Sequence, residues 1–183
     1  MPDDVDALLS FHSDPDSVRY VPYEPRDRAA VQEVVERKVR STSLQEEGDL
    51  IELAVVLPGP AGGAEGPDTG SAGDQTGELI GDVLLALRSV EHQTLEVGYI
   101  FSPRHLGRGY ATETVLALLG LAFGELGMRR VVARVDERNT ASRALLERVG
   151  MRLEAHLVEN EWLKGELTSE VDYALLAREW HAR

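Results

Sequence analysis

The chain has 183 residues and a formal net charge of −13, from 32 acidic residues against 19 lysines and arginines. This length predicts one domain with a sizeable core, and an apolar content of 43% is typical of globular proteins. The acidic balance argues against nucleic-acid binding, which needs a basic face, and is compatible with a cationic partner. The absence of cysteine excludes disulfides, thiolate metal ligands and a cysteine nucleophile.

No targeting or membrane segment is predicted. The longest apolar runs fall well short of the ~20 residues that a transmembrane helix needs. The N-terminal residues MPDDVDALL are acidic from residue 3 and do not read as a signal peptide. Together with the absence of cysteine, these features predict a cytoplasmic protein that binds neither membrane nor nucleic acid.

Two helices are predicted at the start of the chain. Asp4 can cap the first, and Asp27 can cap the second, which carries valines at helical spacing. Between them, residues 18–23 form a short apolar segment that contains Tyr20 and Tyr23.

Strands and helices alternate through the rest of the chain. Strands are predicted at residues 50–57, 78–88, 95–101, 130–135, 151–158 and 171–176, with helices over 108–126 and from Asn139 to Gly150. Residues 58–77 are rich in glycine and nearly free of apolar residues, so they predict a flexible hairpin loop. The fold class is therefore α/β with a mixed sheet, in one domain spanning residues 1–183.

The most informative stretch is EVGYIFSPRHLGRGYATE, residues 96–113. It predicts a strand, a glycine-bearing loop and the first turn of a helix. Free N–H groups and the helix dipole at such a turn favour an anion, and glycines allow a phosphate to approach the backbone. Arg104 and Arg108 add positive charge there. The alternative is a tight turn with solvated arginines; nucleotide-binding G-x-x-x-x-G-K-[ST] and G-x-G-x-x-G patterns are absent.

The pattern Arg104-x-x-Gly107-x-Gly109-x-Ala111, after a strand reading Val-Gly-Tyr-Ile, resembles the acetyl-CoA motif of the GNAT acetyltransferases. A second block agrees, with Asn139, Ser142, Leu145-Leu146-Glu147 and Gly150-Met151 in the family's spacing. The closing block from Glu161-Trp162 to Leu176 resembles the branch that contains the ribosomal-protein N-terminal acetyltransferases.

The resemblance implies the GNAT fold, a central, mostly antiparallel mixed sheet flanked by helices, and transfer of an acetyl group from acetyl-CoA to a primary amine. Relatives usually begin with an edge strand before the first helix, whereas this chain starts almost at that helix; either the strand is absent or the recorded start is late. An open sheet edge would allow a homodimer. The residues implied in acetyl-CoA binding are Ile100, Phe101, Ser102, Arg104, His105, Leu106, Gly107, Arg108, Gly109, Tyr110, Ala111, Thr112, Asn139 and Ser142.

The resemblance also implies the groups that carry the chemistry. Glu161 matches a glutamate assigned as general base in the ribosomal-protein branch, and a carboxylate beside an apolar aromatic residue such as Trp162 suits proton acceptance near neutrality; the alternative is a solvated surface charge. Glu96 on the central strand is the second candidate base, with a structural role on the sheet face as its alternative.

A hydroxyl group is expected beside the leaving thiolate. Many relatives place a tyrosine where this chain has Leu146, so Ser142, one turn earlier, is the expected donor. The alternative for Ser142 is a bond to its own helix backbone. Asn139 is expected to bind the pantetheine arm, to cap its helix, or both.

In the family the two N-terminal helices form a wall of the acceptor groove, so Tyr20, Tyr23 and Trp162 are candidate acceptor contacts; packing within the core is the alternative for each. The acceptor itself stays open between a protein N-terminal amine and a small molecule such as an aminoglycoside, amino acid or polyamine. A protein that binds acetyl-CoA as a sensor without transferring it is the alternative from another class. The five histidines lack the spacing of metal ligands, so no metal is expected.

Overall fold

The computed structural model describes residues 4–59 and 77–183. Most of the glycine-rich segment predicted to be a flexible loop therefore lies outside the described residues. The helices are α1 (Asp4–His12), α2 (Arg28–Arg40), α3 (Tyr110–Gly120), α4 (Thr140–Arg148) and α5 (Ala177–Trp180). The strands are β1 (Leu50–Leu57), β2 (Glu78–Ser89), β3 (Thr94–Phe101), β4 (Arg130–Asp136), β5 (Arg152–Leu163) and β6 (Glu166–Leu176).

The strands form one sheet in the order β1-β2-β3-β4-β6-β5. All neighbours are antiparallel except β3 and β4, which run parallel. This confirms the predicted mixed, mostly antiparallel sheet flanked by helices. Among the described residues, β1 and β5 are the two edge strands, and no strand lies outside β1.

The parallel pairing of β3 with β4 is short. It covers Thr94 to Glu96 on β3, opposite Arg130 to Val132 on β4. Beyond these residues β3 stays paired with β2 as far as Phe101, and β4 stays paired with β6 as far as Asp136. A gap between two half-sheets therefore opens beyond Glu96, in the middle of the sheet.

Helices cover the two faces of the sheet unequally. Because successive strand residues point to opposite faces, Leu95 and Val97 of β3 enter the main core, with α3 and α4. Ile100 points to the other face, where a second cluster formed by α1 and α2 covers Leu79 of β2. The gap is therefore accessible from two chemically different sides.

Local signals predicted several helix ends well. Asp27 caps α2 by accepting from the Ala30 N–H at 2.8 Å, and Gly150 ends α4 in the left-handed conformation, with φ 82°. The helix predicted over 108–126 is shorter than expected, because α3 ends at Gly120 and continues as a π-helical turn. Conversely, β5 and β6 are longer than predicted, and a tight turn at residues 164–165 joins them.

No helix of the described residues is long and apolar enough to cross a membrane.

A buried ionic cluster joins α2 to the sheet. Lys38 of α2 forms ion pairs with Asp82 of β2 and with Glu52 of β1, and the exposed fractions of the three side chains are 11%, 9% and 15%. His12 Nε2 lies 3.4 Å from Asp82 Oδ2. Burial raises the pKa of Asp82, but His12 and Lys38 together outweigh it and hold that pKa below its ordinary value of 3.8.

We expect Lys38→Met to lower the free energy of unfolding by about 3–5 kcal/mol near neutral pH, because it leaves two buried carboxylates without their cation. Asp82 adds stability above its unfolded pKa, and this contribution is lost as pH falls through its folded pKa. The deficit of the variant should therefore shrink below about pH 3.8. Urea unfolding at several pH values measures both effects.

Arg37→Met is the matched control, because Arg37 is more than half exposed and contacts the same Glu52 at 3.5 Å. Its expected effect is below about 0.5 kcal/mol. Equal losses from the two variants would contradict the importance of the buried cation.

Candidate active site

The loop after β3 has an open backbone at its two glycines. Gly107 and Gly109 have φ values of 74° and 89°, a region that favours glycine. A Cβ built at either position would meet no atom within 4 Å. The glycines are therefore required by backbone conformation and by access to the loop, rather than by packing against the rest of the protein.

The first turn of α3 offers unpaired donors beside that loop. The first hydrogen bond within the helix runs from the Glu113 N–H to the Gly109 carbonyl at 3.0 Å. The N–H groups of Tyr110, Ala111 and Thr112 therefore have no acceptor within the helix, and the cap residue Gly109 has no side chain to supply one. These donors, together with the helix dipole, can bind an anion.

The two arginines of the loop are exposed, and neither Arg104 nor Arg108 forms an ion pair with another described residue. In a chain with 32 acidic residues, such unpaired arginines keep their charge available for a ligand. Arg148, at the end of α4, adds a third guanidinium, 3.3 Å from Thr112 Oγ1. The loop therefore fits a pyrophosphate group in charge, in donors and in open space.

The other loop residues divide into exposed and buried. Leu106 is exposed, whereas the His105 side chain is buried, with Nε2 3.4 Å from Glu78 Oε2 of β2. Because its ring faces the sheet, His105 can contribute to cofactor binding through its backbone rather than its ring.

The residues of β3 direct their backbone N–H and C=O groups alternately toward β2 and toward the gap. Ser102 donates its N–H to the Ile80 carbonyl of β2 at 2.8 Å. In an antiparallel ladder, residues two apart bond to the same neighbour, so Ile100 also turns its backbone toward β2. The N–H and C=O groups of Val97, Tyr99 and Phe101 point the other way, into the gap. Of the predicted backbone ligands Ile100, Phe101 and Ser102, only Phe101 has its groups directed there; Ile100 and Ser102 are engaged by β2.

Two hydroxyl groups meet at the helix side of the gap. Tyr99 Oη lies 2.6 Å from Ser142 Oγ and 3.5 Å from the Ser142 carbonyl oxygen. Asn139 caps α4 by accepting from the Ser142 N–H at 3.1 Å, which confirms its predicted capping role. Burial raises the pKa of Tyr99 to about 12, although the bond to Ser142 acts in the opposite direction. Leu146, one turn further along, is fully buried in the core.

Three loops meet beyond the C-terminal end of β4. Lys164, in the β5–β6 turn, donates to the Val18 carbonyl at 2.6 Å. The Arg138 guanidinium lies 5.9 Å from the centre of the Tyr20 ring and pairs with Glu166 at 3.0 Å. We call this ring of five residues the mouth.

A second buried carboxylate, that of Asp136, binds a residue of the mouth. Arg138 binds Asp136 at 2.7 Å, at the end of β4. Burial raises the pKa of Asp136, but hydrogen bonds from Arg138 outweigh this and hold the pKa below its usual range. Arg138 thereby links the end of β4 to the mouth.

Glu161 lies on β5, three residues before the turn that carries Lys164. It pairs with Thr168 of β6, so its side chain shares the face of Asp172. Its carboxylate is exposed and forms no hydrogen bond or ion pair with the described residues. Trp162 is 67% exposed and, as the next residue on the strand, points to the opposite face, so its ring and the Glu161 carboxylate lie on different sides of β5.

Glu96 lies where the pairing of β3 with β4 ends. Its carboxylate binds Arg88 at 2.8 Å, on the face opposite to Tyr99. This ion pair engages one oxygen of the carboxylate, and it is the sheet-face arrangement that the sequence offered as an alternative.

Tyr23 is held by its surroundings. Its hydroxyl lies 2.9 Å from His12 Nδ1, and Arg26 covers its ring at 3.7 Å. Burial raises its pKa to about 12. These contacts favour the packing alternative for Tyr23, whereas Tyr20 lies at the mouth.

Sequence reasoning missed Tyr99, Arg138, Arg148 and Lys164. Alternation along β3 could have placed Tyr99 on the helix side of the gap. No local pattern could have found the other three, because each contacts residues far away in the chain. Among the described residues, no group of three or more acidic or histidine side chains could hold a metal ion.

Comparisons with known proteins agree with the fold. Residues 1–152 match the protein family described as an acetyltransferase (GNAT) domain. The uncharacterised N-acetyltransferase p20 of Bacillus licheniformis is 26% identical over 178 residues, which cover 97% of this chain and 90% of p20. YdaF of Bacillus subtilis, a candidate ribosomal N-acetyltransferase, is 32% identical over 104 residues, 57% of each chain.

Solved structures show the same fold at low identity. A GNAT-family acetyltransferase from Bacillus anthracis superposes with a TM-score of 0.79 at 24% identity, covering 98% of this chain and 92% of its own. The spermidine N-acetyltransferase of Vibrio cholerae, solved with CoA and spermine, superposes with a TM-score of 0.74 at 19% identity. The match covers 98% of this chain and 93% of the Vibrio cholerae chain.

We expect Arg104→Ala and Arg108→Ala each to raise the Kd for acetyl-CoA about tenfold or more, since each removes a charged partner of the pyrophosphate. The effect should weaken at high salt. Calorimetric titration measures it, with Arg40→Ala as the control because Arg40 is an exposed arginine on α2 that pairs with Glu36. Unchanged affinity in both loop variants would contradict the assignment of the anion site.

Proposed function

Because this chain belongs to the GNAT acetyltransferase family, we propose that it transfers the acetyl group of acetyl-CoA directly to the N-terminal amine of a protein or peptide. Acetyl transfer to an amine follows from the family, and the kind of acceptor is the proposal. The observation that carries it is the exposed carboxylate of Glu161 near a mouth in which the carboxylate of Glu166, like that of the underlying Asp136, is already paired with Arg138.

Direct transfer requires few groups. The amine nitrogen attacks the thioester carbonyl, a C–N bond forms, and the C–S bond breaks with its electron pair on sulfur. Glu161 takes the proton that the amine must lose, and Ser142 offers a hydrogen bond to the leaving thiolate. The backbone N–H groups of β3 that point into the gap can polarise the carbonyl. No covalent enzyme intermediate is needed.

The charges around the mouth favour an acceptor with one positive charge. Asp136 and Glu166 are paired with Arg138, and the more distant Asp82 is paired with Lys38. Lys164 adds a further cation. A polyamine has several ammonium groups that need separate carboxylates, whereas an N-terminal amine needs only one, which Glu161 supplies.

Likeness to other proteins supports both kinds of acceptor. YdaF, by its name, points to ribosomal proteins, as does the closing block around Glu161. The Vibrio cholerae enzyme, by its name, points to polyamines. The pairing of carboxylates at the mouth is the observation that favours the first.

We expect Glu161→Gln to lower kcat/KM by about 10²–10⁴-fold, because the amide cannot accept the proton of the amine. The Kd for acetyl-CoA should not change, because Glu161 lies far from the glycine loop in the sheet order. Glu96→Gln is the matched control, since its carboxylate is held by Arg88, and a drop of less than about fivefold is expected. A Glu161→Gln variant as fast as the parent on every acceptor would rule out this base.

The acceptor is tested with a panel of peptides that carry free or blocked N-terminal amines, together with spermidine, spermine and an aminoglycoside. We expect turnover with free N-termini only. Preferred turnover of spermidine would replace the proposed acceptor with a polyamine. A folded protein that binds acetyl-CoA but acetylates none of them would instead favour the sensor alternative.

We also propose that the protein forms a homodimer. β1 and β5 are edges of the sheet, and the side chains of Val158 and Trp162 on β5 are 69% and 67% exposed. Sedimentation velocity at roughly ten micromolar, a range in which weak interfaces populate, should show a dimer. A monomer at that concentration would contradict the proposal.

A further inference from the structure

The hydroxyl of Tyr99 has a contact that the proposed chemistry does not use. It joins the middle of β3 to the first turn of α4, with 2.6 Å between Tyr99 Oη and Ser142 Oγ. Ser142 is the hydroxyl expected beside the leaving sulfur. Two positions earlier on β3, Val97 is an apolar core residue. Tyr99 is therefore the first polar side chain on this face of β3 beyond the end of its pairing with β4.

We propose that Tyr99 is a positioning residue for acetyl transfer: it donates its proton to Ser142 Oγ and thereby leaves the serine proton free for the leaving thiolate. The inference rests on the proposed function, because it assigns a role within the same site.

The geometry favours Tyr99 as the donor of this pair. The Ser142 carbonyl oxygen, which can only accept, lies 3.5 Å from the same phenol oxygen. A tyrosine proton directed at Ser142 Oγ has the carbonyl oxygen as a second, weaker acceptor, whereas a serine proton directed at Tyr99 has no such second acceptor in this pair. Burial keeps the phenol protonated, with a pKa of about 12.

The direction of the serine proton decides whether it can act. A serine hydroxyl has one proton and rotates freely unless it is held. In the first turn of a helix it can bond to neighbouring backbone groups instead of the ligand. When Tyr99 donates to Ser142 Oγ, it occupies one lone pair of that oxygen. The proton of the serine hydroxyl can then point into the gap.

The role is needed because the tyrosine of many relatives is replaced here. Leu146 fills that position and is fully buried, so it offers no proton to the gap. Ser142 hydrogen-bonds the sulfur as the C–S bond breaks and keeps its own proton throughout. The thiolate leaves with the bonding electron pair and is protonated by solvent after release, so no phenolate or alkoxide forms.

The test is a double-mutant cycle on Tyr99→Phe and Ser142→Ala, measured with acetyl-CoA and the fastest amine of the panel. Tyr99→Phe keeps the ring and removes only the hydroxyl. We expect it to lower kcat about tenfold, with the KM for acetyl-CoA changed less than twofold. Ser142→Ala should lose at least as much, and the double variant should be no slower than Ser142→Ala.

Tyr173→Phe is the matched control. Tyr173 is a buried tyrosine that, like the partly buried Tyr99, joins a strand to α4, since its hydroxyl donates to Glu147 Oε1 at 2.8 Å. Loss of either hydroxyl should shift Tm by a similar few degrees, about 2–4 °C for a chain of this size. Only Tyr99→Phe should lower kcat.

The outcomes separate the inference from the function on which it rests. An active parent with an equally active Tyr99→Phe variant would overturn the inference and leave the proposed function intact. If the losses in kcat multiply in the double variant, Tyr99 acts independently of Ser142, and the inference is overturned. An equal loss of kcat in Tyr173→Phe would also overturn it, because Tyr99 would then merely hold α4 in place. A folded parent that acetylates no amine would overturn both.

Discussion

The backbone pairing of β3 with β4 ends at Glu96 and Val132, although both strands continue beyond these residues. Leaving such groups unpaired costs free energy unless water or a ligand satisfies them. The opening persists because each strand keeps its other neighbour: β3 stays bonded to β2, and β4 to β6. The unpaired edge of β3 is a template to which an extended chain of amide groups, such as a pantetheine arm, can bond as an added strand would.

The glycine loop and the mouth differ in the charges that they expose. In the glycine loop, Arg104 and Arg108 form no ion pair with the described residues in spite of the net charge of −13. At the mouth, Arg138 is paired with carboxylates, and Glu161 is an exposed carboxylate on the neighbouring strand β5. The loop therefore attracts an anion, whereas Glu161 offers a carboxylate to a cation.

Features that depend on neighbouring residues could be predicted from the sequence, and those that depend on distant contacts could not. The glycine loop and the caps at Asp27 and Asn139 follow from local patterns. Trp162 follows Glu161 directly, yet the two side chains lie on different sides of β5, because adjacent residues on a strand face opposite sides. The Tyr99–Ser142 bond joins residues 43 positions apart, and periodicity carries no information at that distance.

The same distinction explains why the cofactor is easier to assign than the acceptor. The anion site consists of backbone N–H groups, positive φ angles and a helix end, which a short motif specifies almost completely. The mouth consists of side chains from three separate loops, among them Tyr20, Arg138 and Lys164, and each is held by a residue far away in the sequence. A change in any one loop can alter the acceptor without disturbing the cofactor motif. Selectivity for the amine is therefore free to diverge among chains that keep the same fold and the same glycine loop.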